Sequence, residues 1–158
     1  MKKLDIVVFT FVLVIGGLIF GLYFRQININ VHNAALEISF KNIVLDSVQL
    51  TEDTHIVYYL DEIDEHSFKF TKDVYIDDQI YRTEETHNAN LGSLKTLNPN
   101  HILHHKIVVT WDDIRMEEAS CPNKDCQRMK MSHRATLPIV CTNGVVVRFV
   151  LQEIEIIV

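Results

Sequence analysis

The chain has 158 residues, room for one domain of about 100 to 130 residues once an apolar first stretch is set aside. Its formal charge is −6 at pH 7, and because Lys2, Lys3 and Asp5 contribute +1, the remainder carries −7. Sequence-independent binding of DNA or RNA needs a basic surface, so this balance excludes a nucleic-acid partner.

Residues 6–24 read IVVFTFVLVIGGLIFGLYF without a charge. As a helix such a run reaches about 28 Å, close to a hydrocarbon core of about 30 Å. A cleaved signal peptide would end in a small-residue site, which is missing after Leu22-Tyr23-Phe24. The segment is therefore expected to be one N-terminal transmembrane helix. Lys2 and Lys3 precede it and Arg25 alone follows, a bias that places residues 1–5 in the cytoplasm and residues 31–158 outside. The expectation is a single-pass cell-membrane protein with an extracytoplasmic domain, whose partners are the membrane and a membrane or extracytoplasmic protein.

Beyond the span the pattern is short and β-like. Residues 36–40 (LEISF) alternate apolar with polar, and residues 55–60 (HIVYYL) and 67–71 (SFKFT) are rich in aromatic and β-branched side chains. Residues 84–104 lose that alternation and contain Asn98-Pro99, which predicts an irregular connection with a helical turn around Ser93 to Leu97. Residues 105–111 (HKIVVTW) and 114–119 (IRMEEA) are strand-like and separated by Asp112-Asp113, a gap of hairpin size, with Trp111 expected in the core. Leu137 to Thr142 and Val145 to Val150 are joined by Asn143-Gly144. A two-residue type I′ turn there sets Cys141 opposite Val146 and Val140 opposite Val147. Val140, Val145, Val147 and Phe149 then face the core, and Cys141 shares the other face with Arg148. A last strand over 153–158 completes an all-β fold, a small antiparallel barrel or sandwich.

All three cysteines fall in one segment, as Cys121-x4-Cys126-x14-Cys141. One structural disulfide is the plain reading, and every pairing leaves an odd thiol. A second reading is thiol reactivity. Lys124, Arg128, Lys130, Arg134 and Arg148 stand against Asp125 alone, a local +4 that would stabilise a thiolate and that also suits docking of a partner or an anion. A third recruits His133 to complete a Cys3His set suited to zinc.

Three features of this region resemble the NusG domain II family. They are WDDIRMEEASCPNKDC (111–126), the fifteen-residue step from Cys126 to Cys141, and PIVCTNGVVV (138–147). Members of that family carry a strand ending in A-S-C-P-x-K-x-C, a basic connection, then I-V-C and an Asn-containing turn into a Val-rich strand. The start MKKLDIVV before an apolar run is similar to the family's membrane-anchored members. The resemblance covers residues 105–150, while 31–104 match only in being β-rich. A Gly that usually follows the second cysteine and a Pro-Gly pair before the third are replaced here by residues 127–131 (QRMKM) and Arg134-Ala135-Thr136. The resemblance implies an all-β accessory or binding module, associated with flavin-based extracellular electron transfer or quinone-related membrane systems. It names no cofactor.

Other polar groups carry weaker signals. His101-x-x-His104-His105 follows Asn98-Pro99-Asn100 in a loop with no carboxylate within the motif, and the Asp61-Glu62-x-Asp64-Glu65 and Asp77-Asp78 groups lack the order and central Gly of a calcium loop, so those acidic groups read as solvated turns. No nucleophile elbow, phosphate loop or H-E-x-x-H motif is present, and no acid, base and nucleophile converge in the sequence. The expectation is a protein that is not an enzyme, with a thiol-disulfide redox or metal-binding module built on the three cysteines as the alternative function.

Overall fold

The structure, a computed structural model, describes residues 11–22, 34–95, 102–133 and 135–151. They belong to two units, one of residues 1–34 with 151–158 and one of residues 35–150.

In the first unit, residues 11–22 form helix α1. Twelve residues rise only about 18 Å, well short of the roughly 30 Å of a hydrocarbon core. No helix among the described residues is long and apolar enough to cross a membrane. This overturns the expected single-span anchor, and with it the cytoplasmic N-terminus and the extracytoplasmic placement of the rest. Apolar composition over 6–24 sets hydropathy but does not set helix length. Residues 6–10 and 23–24 of the expected span lie outside the described residues.

The second unit is all-β and antiparallel, as the alternating runs predicted. In chain order come β1 (Ala34–Phe40), β2 (Ile43–Gln49), β3 (His55–Asp64), β4 (Ser67–Ile76), β5 (Gln79–Asn88), the short helix α2 (Gly92–Lys95), β6 (His104–Thr110) and β7 (Ile114–Ala119). A 3-10 turn (Asp125–Arg128), β8 (Lys130–Met131), β9 (Ile139–Val140) and β10 (Val145–Leu151) follow. A four-stranded sheet has the order β2-β1-β10-β9, and a six-stranded sheet the order β5-β4-β3-β6-β7-β8.

Local chemistry explains the tight hairpins. Phe40 pairs with Ile43 across Lys41-Asn42, and Ile76 with Gln79 across Asp77-Asp78. All four loop residues have positive φ, between 46° and 69°, as a type I′ turn requires; Asn and Asp tolerate this better than most side chains. Asp77-Asp78 is thus a turn, as expected.

Inward residues of both sheets share one core. Leu36, Ile38 and Phe40 of β1 and Val145 and Val147 of β10 join Tyr58, Leu60, Phe68, Ile107, Val109, Ile114 and Met116 of the larger sheet. Phe40 meets Phe68 edge to face at 4.9 Å, tying the sheets together. Each such side chain contributes about 1.5 to 3 kcal/mol by leaving water. The buried Tyr58 hydroxyl donates to Asp46 at 2.7 Å, so its polar end is satisfied.

The structure departs from expectation at three further places. The β9–β10 loop has three residues, not two: the Cys141 amide donates to the Val145 carbonyl at 2.8 Å, the Gly144 amide to the Cys141 carbonyl at 2.9 Å, and Gly144 has φ 93°. That is a type I turn closed by a left-handed glycine. Val140 therefore pairs with Val146 and Ile139 with Val147. A shift of one residue exchanges the faces, so Val140 is 53 % exposed, Cys141 is buried, and Ile139 takes the core position. In the β6–β7 hairpin the Thr110 amide donates to the Asp113 carbonyl at 3.0 Å, which puts Trp111 in the turn, only half-buried, and not in the core. Residues 79–88 are strand β5 where an irregular connection was expected from 84 onward; the predicted helical turn appears as α2. The expected strand over 153–158 lies outside the described residues.

Candidate functional site

The segment after β7 brings the three cysteines together. Cys121 follows the last residues of the strand, Cys126 lies in the 3-10 turn, and Cys141 opens the β9–β10 loop. Lys124, just before the 3-10 turn, adopts a left-handed conformation with φ 53°, which reverses the chain between the first two cysteines. Asn143, buried in the β9–β10 loop, donates from Nδ2 to Ser120 Oγ at 3.2 Å and so ties the third cysteine's loop to the first cysteine's strand.

The result is a compact sulfur cluster. Cys121 Sγ lies 3.2 Å from Cys126 Sγ, which lies 3.4 Å from Cys141 Sγ. All three sulfurs fall within 4.8 Å of one another, and the residues are 3 %, 1 % and 3 % exposed. All three are free thiols, not the disulfide of the plainest reading.

Electrostatics oppose the expected reactive thiolate. Burial, then hydrogen bonding to the neighbouring thiols, pushes the Cys126 thiol far above its ordinary range, and burial likewise raises Cys141. The basic residues meant to lower these values are turned away. Lys124, Arg128 and Lys130 are exposed, and Arg148 pairs with Glu37 of β1 at 2.8 Å. Arg134 lies outside the described residues. Without a cation, Cys126 and Cys141 stay protonated and unreactive at neutral pH.

His133 is not the cluster's imidazole. It stacks on Trp111 with ring centroids 4.6 Å apart, and its Nδ1 lies 3.1 Å from Asp112 Oδ1 and 3.3 Å from the Trp111 carbonyl oxygen. Those contacts belong to the β6–β7 turn. His105 of β6 instead places Nε2 3.3 Å from Cys141 Sγ, in a fully buried position. The His101-x-x-His104-His105 group is thus divided, with His101 outside the described residues. His104 points the other way, its Nδ1 2.6 Å from Asp61 Oδ1 and its Nε2 2.9 Å from Glu118 Oε2. The signal that singles out His105 is the inward parity it shares with Ile107 and Val109 in an alternating strand.

No family model, curated protein or solved structure matches the chain. The donor set itself carries the argument. Three buried thiols at this spacing match in number and kind the sulfur ligands of a zinc site, where Zn–S is about 2.3 Å and sulfurs sit roughly 3.8 Å apart around the ion. The acidic groups offer no comparable cluster among the described residues. Glu62, in β3, accepts from the Leu103 amide at 2.9 Å and so ties that strand to the segment before β6, while Asp64 accepts from the His66 amide at 2.7 Å in the β3–β4 turn.

Proposed function

We propose that this chain is an accessory β module of the NusG domain II kind whose three cysteines bind one thiophilic metal ion. One observation carries the reading: three free, buried Sγ atoms lie within 4.8 Å of one another. Buried thiols packed on each other gain little as thiols, whereas a divalent cation displaces their protons and turns the cluster into a cross-link between the β7 end, the 3-10 turn and the β9–β10 loop. Such a cross-link would hold in place a segment with few regular hydrogen bonds, since β8 and β9 have two residues each. The exposed Lys124, Arg128 and Lys130 then form a basic rim on this fixed segment, a docking edge for an acidic partner protein.

The experiment is metal analysis of the purified full chain beside a chain with Cys126→Ser. The reading expects about one metal per chain in the first and a loss of most of it in the second. Equal metal content in both, or none in either after reconstitution with zinc under reducing conditions, would remove it.

A second reading has one observation in its favour. Cys126 is 3.2 Å from one thiol and 3.4 Å from the other, so it is positioned to pair with either if an oxidant such as an external disulfide removes two electrons and two protons. Burial of all three sulfurs and the raised Cys126 and Cys141 pKa values weigh against rapid exchange.

A further inference from the structure

We infer that His105 is the fourth ligand of the cysteine cluster, closing it as a buried Cys3His site for a zinc-class cation. The inference rests on the metal-binding reading and adds to it the ligand that decides the site's class. Three thiolates alone leave a position for water or a substrate, whereas three thiolates and an imidazole make the closed tetrahedral set of structural zinc sites.

The placement follows from strand geometry. In β6 the residues His105, Ile107 and Val109 face inward while His104 and Lys106 face out, and the ladder sets His105 opposite Ala119 of β7. Cys121 lies two residues beyond Ala119, just past the end of β7, and is likewise buried. Ala119, a small and buried residue, faces His105 across the ladder.

The ring's burial and its distance to Cys141 agree with this. His105 Nε2 is 3.3 Å from Cys141 Sγ. Around a tetrahedral zinc with bonds of about 2.3 Å to sulfur and about 2.0 to 2.1 Å to nitrogen, adjacent nitrogen and sulfur ligands are roughly 3.6 Å apart. The His105–Cys141 distance of 3.3 Å and the Cys121–Cys126 and Cys126–Cys141 distances of 3.2 and 3.4 Å are somewhat shorter than such edges. The ring meets the cluster at its Cys141 corner alone, and closing the site requires it to move towards Cys121 and Cys126, which group with Cys141 without it. Charge also favours the set. Three thiols release three protons to solvent when a divalent ion binds, and the neutral imidazole leaves a net charge of −1 in the pocket. An iron–sulfur cluster generally calls for four cysteines, one more than the chain has.

The test is X-ray absorption and cobalt-substituted optical spectroscopy on the full chain and on His105→Ala and His105→Cys. The wild type should show three sulfurs at about 2.3 Å and one imidazole nitrogen at about 2.0 to 2.1 Å. His105→Ala should lose the imidazole scattering and bind zinc at least about 10-fold more weakly. His105→Cys should show four sulfurs and a sulfur-to-cobalt charge-transfer band about one third more intense, from four thiolates in place of three. The His105→Cys result decides the matter if His105→Ala fails to fold. A three-sulfur shell in His105→Cys, or an imidazole signal that persists in His105→Ala, overturns His105 as a ligand and leaves the three-thiolate reading intact. A wild type that takes up no zinc or cobalt removes both.

Discussion

His104 and His105 are neighbours in β6, yet the two faces of that strand give them opposite chemistry. On the outer face His104 is 44 % exposed by side chain and bracketed by Asp61 and Glu118. On the inner face His105 is fully buried and lies against a thiol. Hydrogen bonding to Asp61 first, and then to Glu118, raises the His104 pKa and favours its charged form. The inner face excludes water, and there a charge persists only with a partner of opposite sign or a metal. Strand parity alone thus divides an exposed ion pair from a buried contact with a thiol within two consecutive residues.

The largest expected effect tests whether the two faces really differ in what they contribute. Ile107→Ala opens a cavity in the core and should cost about 2 to 5 kcal/mol in urea unfolding. Lys106→Ala, which removes an outward ion pair with Glu117, should cost no more than about 1 kcal/mol. Comparable losses would dissolve the distinction.

Next in size is the metal's contribution to the inner face. With free zinc at about 100 times its dissociation constant, the folded chain should gain about 2.7 kcal/mol, read as a rise in Tm that a chelator reverses. Cys126→Ser should abolish that rise, and His104→Gln should leave it in place.

The inner face also predicts a pH dependence of definite sign. Cys126 and Cys141 have raised pKa values when folded, so the metal-free chain keeps their contribution below the ordinary thiol value of about 8.5 and loses it as pH climbs towards the folded values. Thermal melts of the metal-free chain should fall above that pH. The zinc-loaded chain should behave oppositely and release metal as the pH drops, because protons compete for the thiolates.

The smallest effect belongs to the outer face. The raised His104 pKa contributes stability below the ordinary histidine value of about 6.5 that is lost as pH rises through the folded value. Because the side chain is partly exposed, His104→Gln should cost no more than about 1 kcal/mol. In an NMR titration His104 should titrate above about 6.5, and Asp61→Asn should bring it down.

The division between legible and hidden features follows the same logic of faces. β1 alternates apolar with polar over 36–40, and β3, β4 and β6 are rich in β-branched and aromatic residues, so their composition revealed them. β5 is an edge strand exposed along almost its whole length, so no alternation marks residues 79–88. The β9–β10 register turned on whether Asn143-Gly144 closes a two-residue or a three-residue loop. Both loops accept that pair, and only the second buries Cys141. The three cysteines stood out by spacing alone, whereas His105 comes from a strand fourteen residues before Ala119 and is linked to them only by sheet pairing. His133, nearer in sequence, is held by Trp111. At the N-terminus, the described helix covers residues 11–22 of the apolar run over 6–24.

Native mass spectrometry of the full chain, paired with thiol counting under reducing conditions, tests the central claim most directly. The account predicts one zinc ion bound per folded chain and three thiols that react only after a chelator or denaturant is added. A folded chain that carries no zinc while its three thiols stay free, or one in which two cysteines are joined to each other, would contradict it.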